Sequence, residues 1–220
     1  IGLTLPIPDV QWPELLHEAM RRNDVGTDRT DAYLRITVSR GEGEIGLDPA
    51  LCPRPTVVIL TKALHAPSPD LLRNGVSLTV AQTRRNLPAA LSPQIKSTNF
   101  LNNILAKRES IAAGTFDSLL LNWKDELTEC TISNLFFIAD GTVHTPALDC
   151  GILDGITRSI VMTLAEEEGL PVQDGAYHLT HLRQAEECFL TNTSMEVMPV
   201  SRVDTFQIGD GRPGPVTRRL

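Results

Sequence analysis

The sequence predicts an α+β (mixed α/β) fold with much antiparallel sheet. Three observations carry this. Short β-branched runs alternate polar with apolar residues, as in "AYLRITVSRG" and "TVVILTKAL". Two longer stretches, residues 100–113 and "TRSIVMTLAEEEG", have helical apolar spacing and each ends on a glycine. Between them Asp140-Gly141 sits inside "SNLFFIADGTVHT", a strong hairpin signal.

In chain order, "PELLHEAMRRND" reads as a short helix with Pro13 in its first turn and an apolar stripe of Leu15, Leu16, Ala19 and Met20. Two strands follow, joined by a Gly-rich loop. "HAPSPDLLRNG", broken by Pro67 and Pro69, reads as a linker. "VSLTVAQTR" is a strand and "LPAALSPQ" a proline-punctuated connection. Residues 100–113 then form a helix whose Phe100, Leu101, Ile104, Leu105, Ile111 and Ala112 are expected to be its buried face, ending at Gly114. Further strands are predicted at "DSLLLNW", on both sides of Asp140-Gly141, at "ECFLT" and at "VMPVSRV".

Composition removes several function classes. With 41% hydrophobic residues over 220 positions the chain can bury a core. A net charge of −7 without any basic stripe argues against nucleic acid. No run approaches the roughly eighteen apolar residues of a membrane span, and "IGLTLPIPDV" is not a signal peptide, so a cytoplasmic protein is expected. Cys52, Cys130, Cys150 and Cys188 are scattered and contain no metal or disulfide spacing; buried or half-buried thiols are expected. The absence of an initiator methionine, and a C-terminal "GPVTRRL" that reads as the start of a helix, suggest a piece of a longer chain.

Some patterns carry little. Gly41, Gly43 and Gly46 match a dinucleotide-binding spacing but lead into "LDPALCPRP" and carry Glu42 and Glu44 where a pyrophosphate would approach. Gly209, Gly211 and Gly214 match it again, with Pro213 and Pro215 in the way. Both read as turns. His178 and His181 lack thiolate or carboxylate partners, so no metal is expected.

The four lysines can be sorted by position. Lys107 lies with Arg108 on the polar side of its helix, Lys124 in the "WKDE" turn, and Lys62 at the end of an apolar strand. Lys96 alone stands at a turn feeding the N-terminus of a helix, where an amine can be held in a pocket as a nucleophile. "LTECTISNLFFI" sets Glu129 at the mouth of an apolar strand. "GILDGITRS" puts a small residue and a hydroxyl where a helix begins, a setting that suits phosphate. "FLTNTSMEVMP" adds the hydroxyls Thr191, Thr193 and Ser194. Each feature alone is also ordinary capping or turn chemistry. Together, an amine, a carboxylate and two anion-binding turns are what pyridoxal 5'-phosphate requires.

At these residues the chain resembles the fold-type IV, or class IV, pyridoxal-phosphate aminotransferases, most closely the branched-chain amino acid group. The resemblance runs in order through "AYLRITVSRGEGEIGLDP", "PQIKSTNFLNNILAKRE", "TECTISNLFFI", "GILDGITRS", "LTNTSMEVMPV" and "GDGRPGPVTRRL". It implies the class IV fold, with residues 1–63 as the remnant of a small N-terminal domain, 64–73 as linker and 74–220 as the large cofactor-binding domain. It implies that Lys96 anchors the cofactor and moves the substrate's α-proton, and that Glu129 faces the pyridine nitrogen. By the same resemblance Leu153 packs on the ring, Gly155, Ile156 and Thr157 hold the phosphate, and Thr193 adds a second phosphate contact. Tyr33 and Arg35 correspond to substrate-facing residues, and the turn at Ser194 and Met195 to the N–H pair that takes the α-carboxylate. Phe100 departs from the pattern, standing where branched-chain enzymes commonly carry a tyrosine that hydrogen-bonds the cofactor's phenolic oxygen. The segment that supplies a phosphate-binding arginine in the family lies outside this sequence.

The implied activity is ping-pong transamination of L-leucine, L-isoleucine or L-valine with 2-oxoglutarate by a homodimer or higher homo-oligomer. The same resemblance leaves room for a D-amino acid aminotransferase, an (R)-selective amine transaminase or an aminodeoxychorismate lyase. A non-catalytic binding protein on the same scaffold is the alternative of a different class.

Overall fold

The computed structural model describes residues 1–26 and 31–220, which divide into two compact units, Ile1–Ala66 and Pro67–Leu220. In the first unit, helix α1 (Trp12–Arg22) packs on a two-stranded antiparallel sheet of β1 (Ala32–Ser39) and β2 (Thr56–Ala63). Pro13 occupies the first turn of α1, where its missing N–H costs nothing. The glycines between β1 and β2 serve the turn: Gly41 has φ +86°, and a β-carbon on Gly43 would lie 2.0 Å from the Leu51 carbonyl oxygen.

The second unit opens with α2 (Pro69–Asn74), so the expected linker contains a helix, which begins where Ser68 Oγ accepts the Leu71 N–H. The remaining elements are β3 (Val76–Val80), α3 (Leu101–Ala113), β4 (Asp117–Leu121), β5 (Leu127–Cys130), β6 (Asn134–Ala139), β7 (Thr142–Pro146), α4 (Ile156–Glu167), β8 (Val172–Gly175), α5 (Leu179–Arg183), β9 (Glu187–Asn192), β10 (Glu196–Val203), β11 (Phe206–Gln207) and α6 (Pro215–Arg219). Strands β10, β3, β4, β5, β6 and β9 pair in that order, and β9 returns to β10, so the sheet closes into a ring. Strand β11 hangs on β10, while β7 and β8 extend from β6.

Side-chain alternation explains the two faces of this ring. Leu78, Leu119, Leu127, Leu135, Leu190 and Met198, one from each ring strand, belong to a single buried cluster that fills the interior. The intervening residues point outward. Phe136 and Phe189, cross-strand partners stacked at 5.0 Å, join Val161 and Ala165 of α4 in a second cluster. Asp140 and Gly141 both have positive φ, 49° and 69°, as the primed turn between β6 and β7 requires.

Helix α3 corrects the sequence reading. It spans the expected residues and ends on left-handed Gly114, but Leu101, Ile104, Leu105 and Ile111 are exposed and its buried residues are Ala106 and Ser110. The helix lies against Ala81 and Leu120 through small side chains, with Ser118 Oγ donating to the Ala106 carbonyl at 2.6 Å. Only small residues allow that approach, so the larger apolar groups face outward.

Candidate active site

A cavity of about 430 Å³ lies within the second unit and brings together residues far apart in sequence: Lys96, Glu129, Leu153, Gly155, Ile156, Thr157 and Thr193 all line it. Phe100 lines it too, contributing a ring without a hydroxyl.

Lys96 stands in the irregular segment between β3 and α3 and is exposed. Gln94 ties this segment to the one entering α4: its Nε2 donates to the Ile152 carbonyl at 2.7 Å, and its Oε1 accepts the Asp154 N–H at 3.4 Å. The other lysines are placed elsewhere. Lys107 Nζ donates to the Phe116 carbonyl, Lys124 pairs with Glu126 at 4.0 Å, and Lys62 lies 5.0 Å from the centroid of the Tyr33 ring.

Glu129 is the penultimate residue of β5, before the tight turn into β6, and pairs in register with Asn134. Its carboxylate is held from several sides. Arg85 donates to Oε1, while Oε2 accepts from Asn134 Nδ2 at 3.2 Å and from the Leu153 N–H at 3.0 Å. Burial pushes its pKa up to about 7, against the opposing pull of Arg85, the Leu153 N–H and Lys96.

The N-terminus of α4 faces the same space. Gly155 is its N-cap and has no side-chain cap, so the first N–H groups are available to an anion. Residue 155 must be glycine for steric reasons, since a β-carbon would stand 2.1 Å from Asn134 Oδ1. Arg158, buried one turn in, donates to the Pro146 carbonyl and lies 3.7 Å from Asp154 and Asp174, which fixes the helix against β7 and β8. Thr191 Oγ1 and Ser133 Oγ are buried along the cavity and make no hydrogen bond among the described residues.

The turn between β9 and β10 departs from expectation. Thr193 reaches the cavity, but Ser194 and Met195 are not part of its lining, and their N–H groups, expected to take a carboxylate, both donate to Asn192 Oδ1 at 2.9 Å. The physical reason is an Asx turn, in which a side-chain amide satisfies the backbone of its own hairpin. Tyr33 and Arg35 belong to the first unit, on one face of β1 opposite Lys62 and Leu60.

Sequence reasoning passed over Arg85, Gln94, Asn103 and Asn192. Arg85 is one of sixteen arginines, and no local pattern marks it. Its importance lies in a contact across 44 positions of sequence. Asn192, within "LTNTS" at a strand end, carried a readable turn signal. His178 and His181 form a reciprocal cap at the start of α5, and no metal-binding cluster occurs among the described residues. Nor, among them, is any helix long and apolar enough to cross a membrane.

Comparison with known proteins agrees with this fold. A Methanocaldococcus jannaschii protein provisionally named a branched-chain-amino-acid aminotransferase is 35% identical over 219 residues, 99% of this chain and 73% of its own. A D-alanine aminotransferase of Listeria monocytogenes is 33% identical over 227 residues, covering 100% and 74%. The crystal structure of the Escherichia coli branched-chain amino acid aminotransferase superposes with a TM-score of 0.92 at 28% identity, covering 99% of this chain and 71% of that one. A second branched-chain enzyme, crystallised with pyridoxamine 5'-phosphate, superposes with a TM-score of 0.90 at 30% identity, covering 98% and 70%. The family model described as Amino-transferase class IV matches residues 1–203, and the chain belongs to that family.

Proposed function

We propose that this chain is a pyridoxal-phosphate-dependent aminotransferase that moves the amino group of branched-chain L-amino acids to 2-oxoglutarate. The observation that carries the reading is the convergence of Lys96, Glu129 and the uncapped N-terminus of α4 on one cavity. That donor set fits pyridoxal 5'-phosphate. An amine stands at one wall, a buried carboxylate at another, and the steric demand for glycine at 155 leaves backbone N–H groups open to a phosphate.

When bound, the cofactor supplies an electron sink for bonds at the substrate's α-carbon. In this reading the Lys96 amine carries the cofactor and then takes and returns the α-proton, which its exposed position within the cavity allows. Glu129 holds a proton on the ring nitrogen. Gly155, Ile156 and Thr157 bind the phosphate through the N–H groups of α4, with the Thr193 hydroxyl as a second donor and Leu153 against the ring. Ser194 belongs to the same turn as Thr193. The substrate side is assigned to Tyr33, Arg35 and Met195; carboxylate binding by the Ser194 and Met195 N–H groups then requires Asn192 Oδ1 to give way.

Within this reading residues 74–220 form the cofactor domain, 1–63 part of a smaller domain and 64–73 the connection between them. The enzyme works in the cytoplasm as a homodimer. Support for self-association comes from the outward apolar residues of α3, Leu101, Ile104, Leu105 and Ile111. Sedimentation at several concentrations tests the dimer.

The relatives span more than one substrate, so the choice of branched-chain amino acids is tested directly. Purified protein with added pyridoxal phosphate should gain a near-visible absorbance, and borohydride should fix the cofactor on Lys96. Assay with L-leucine and with D-alanine, each with 2-oxoglutarate, should favour L-leucine. Activity on D-alanine alone rejects the branched-chain assignment, and absence of any cofactor uptake rejects the enzyme reading.

A further inference from the structure

Arg85 is buried beside Glu129, each side chain only 7% exposed, and each nitrogen of its guanidinium has a hydrogen-bond partner. Three of its five N–H donors have a partner: Nη2 donates to Glu129 Oε1, Nε to the Gly151 carbonyl at 3.1 Å, and Nη1 to Asn103 Oδ1 at 3.2 Å. Asn103 is itself fixed, donating through Nδ2 to the Thr131 carbonyl at 2.6 Å. The guanidinium therefore cannot rotate away from the carboxylate without breaking a chain of buried hydrogen bonds.

We propose that Arg85 is a positioning residue: it locks the Glu129 side chain in one orientation toward the cavity and favours its ionised form over the neutral acid. This rests on the reading that Glu129 meets the cofactor's ring nitrogen. A buried carboxyl left alone takes up a proton, because burial penalises its charge. A guanidinium is charged at every working pH and opposes that uptake. The distinction matters chemically, since an anionic carboxylate stabilises a protonated ring nitrogen and a carboxylic acid does not. The other charged groups around Glu129 are too exposed to replace Arg85. Lys96 and Asp154 line the same cavity and both are exposed, and the adjacent Cys130 thiol is kept neutral by burial. The remaining partners, Asn134 and the Leu153 N–H, carry no charge.

The test reads Glu129 itself. With carboxyl-labelled glutamate and E129Q to assign the signal, the pH midpoint of Glu129 is followed by carbon NMR in the cofactor-free wild type, R85Q and N103A. R85Q is expected to raise the midpoint by about one pH unit or more. N103A keeps the charge but removes one support, is expected to raise the midpoint by less, and carries the test should R85Q not fold. In the cofactor-loaded protein, the pH at which the bound cofactor's absorbance changes is expected to move in R85Q. An unmoved Glu129 midpoint in R85Q, or in N103A where R85Q does not fold, overturns the proposal. Borohydride labelling of Lys96 in the wild type reports separately on the functional reading. Its failure while the Glu129 midpoint still shifts overturns the cofactor assignment and leaves the Arg85–Glu129 coupling standing.

Discussion

Gly155 sits against Asn134 with no room for a side chain, an added β-carbon falling 2.1 Å from Asn134 Oδ1. Asn134 cannot retreat freely, because its amide nitrogen donates both to Glu129 Oε2 and to the Leu153 carbonyl at 2.9 Å. Gly155→Ala is therefore expected to cost about 1–3 kcal/mol by overpacking and to weaken pyridoxal phosphate binding at the start of α4. Adding Asn134→Ala should recover part of the lost packing energy but not the Glu129 geometry. Urea unfolding and cofactor titration of the single and double variants measure the two effects.

The buried carboxylate gives a pH signature. Folding raises the pKa of Glu129 from 4.5 to about 7, so the native state holds more protons than the unfolded state between those values. Its stabilising contribution is complete below the lower value and is lost as pH rises through the upper one. Relative to Glu129→Gln, the cofactor-free wild type should lose about 3 kcal/mol of stability across that window. Chemical unfolding of both proteins at a series of pH values checks the slope, and parallel curves contradict it.

Lys96→Ala should lower transamination by roughly 10³-fold or more, because no other lysine lines the cavity among the described residues. The overall stability should change little, since the side chain is exposed. A small amine added to the assay should restore part of the lost rate. Single-turnover kinetics with L-leucine measure it.

A structural carboxylate offers a control far from proton chemistry. Glu187 is buried and accepts the Val216 and Thr217 N–H groups at 3.0 and 2.7 Å, capping α6, while Gly214 leaves space for it. Glu187→Ala should cost about 1–3 kcal/mol and speed amide exchange in residues 215–219, without shifting the pH midpoint of Glu129. Hydrogen-exchange mass spectrometry and the Glu129 titration provide the two readouts.

Local chemistry explains what the sequence made legible. Pro13, Asp140-Gly141 and Gly114 act through their own backbone preferences, so the elements they bound could be read from neighbours in the chain. The lysine could be singled out because only four exist, and the α4 turn because helix starts bind anions. What escaped depended on long-range placement. The burial of α3 through Ala106 and Ser110 reflects how closely the sheet approaches, which the apolar pattern does not encode. Arg85 reaches Glu129 only because β3 and β4 are neighbours and β4 pairs with β5. The short strands β5, β8 and β11 carry too few residues to show alternation.

The ring of strands also sets an order of assembly. Its closure needs β10 to lie parallel to β3, joining residues more than a hundred positions apart, so a growing chain cannot complete the wall that carries Thr193 until its last strands emerge. Until then Glu129 and Arg85 lack a finished enclosure. Any molecule held in the finished cavity would touch chain from Arg85 to Thr193, and so would tie together parts of the unit that are made far apart in time.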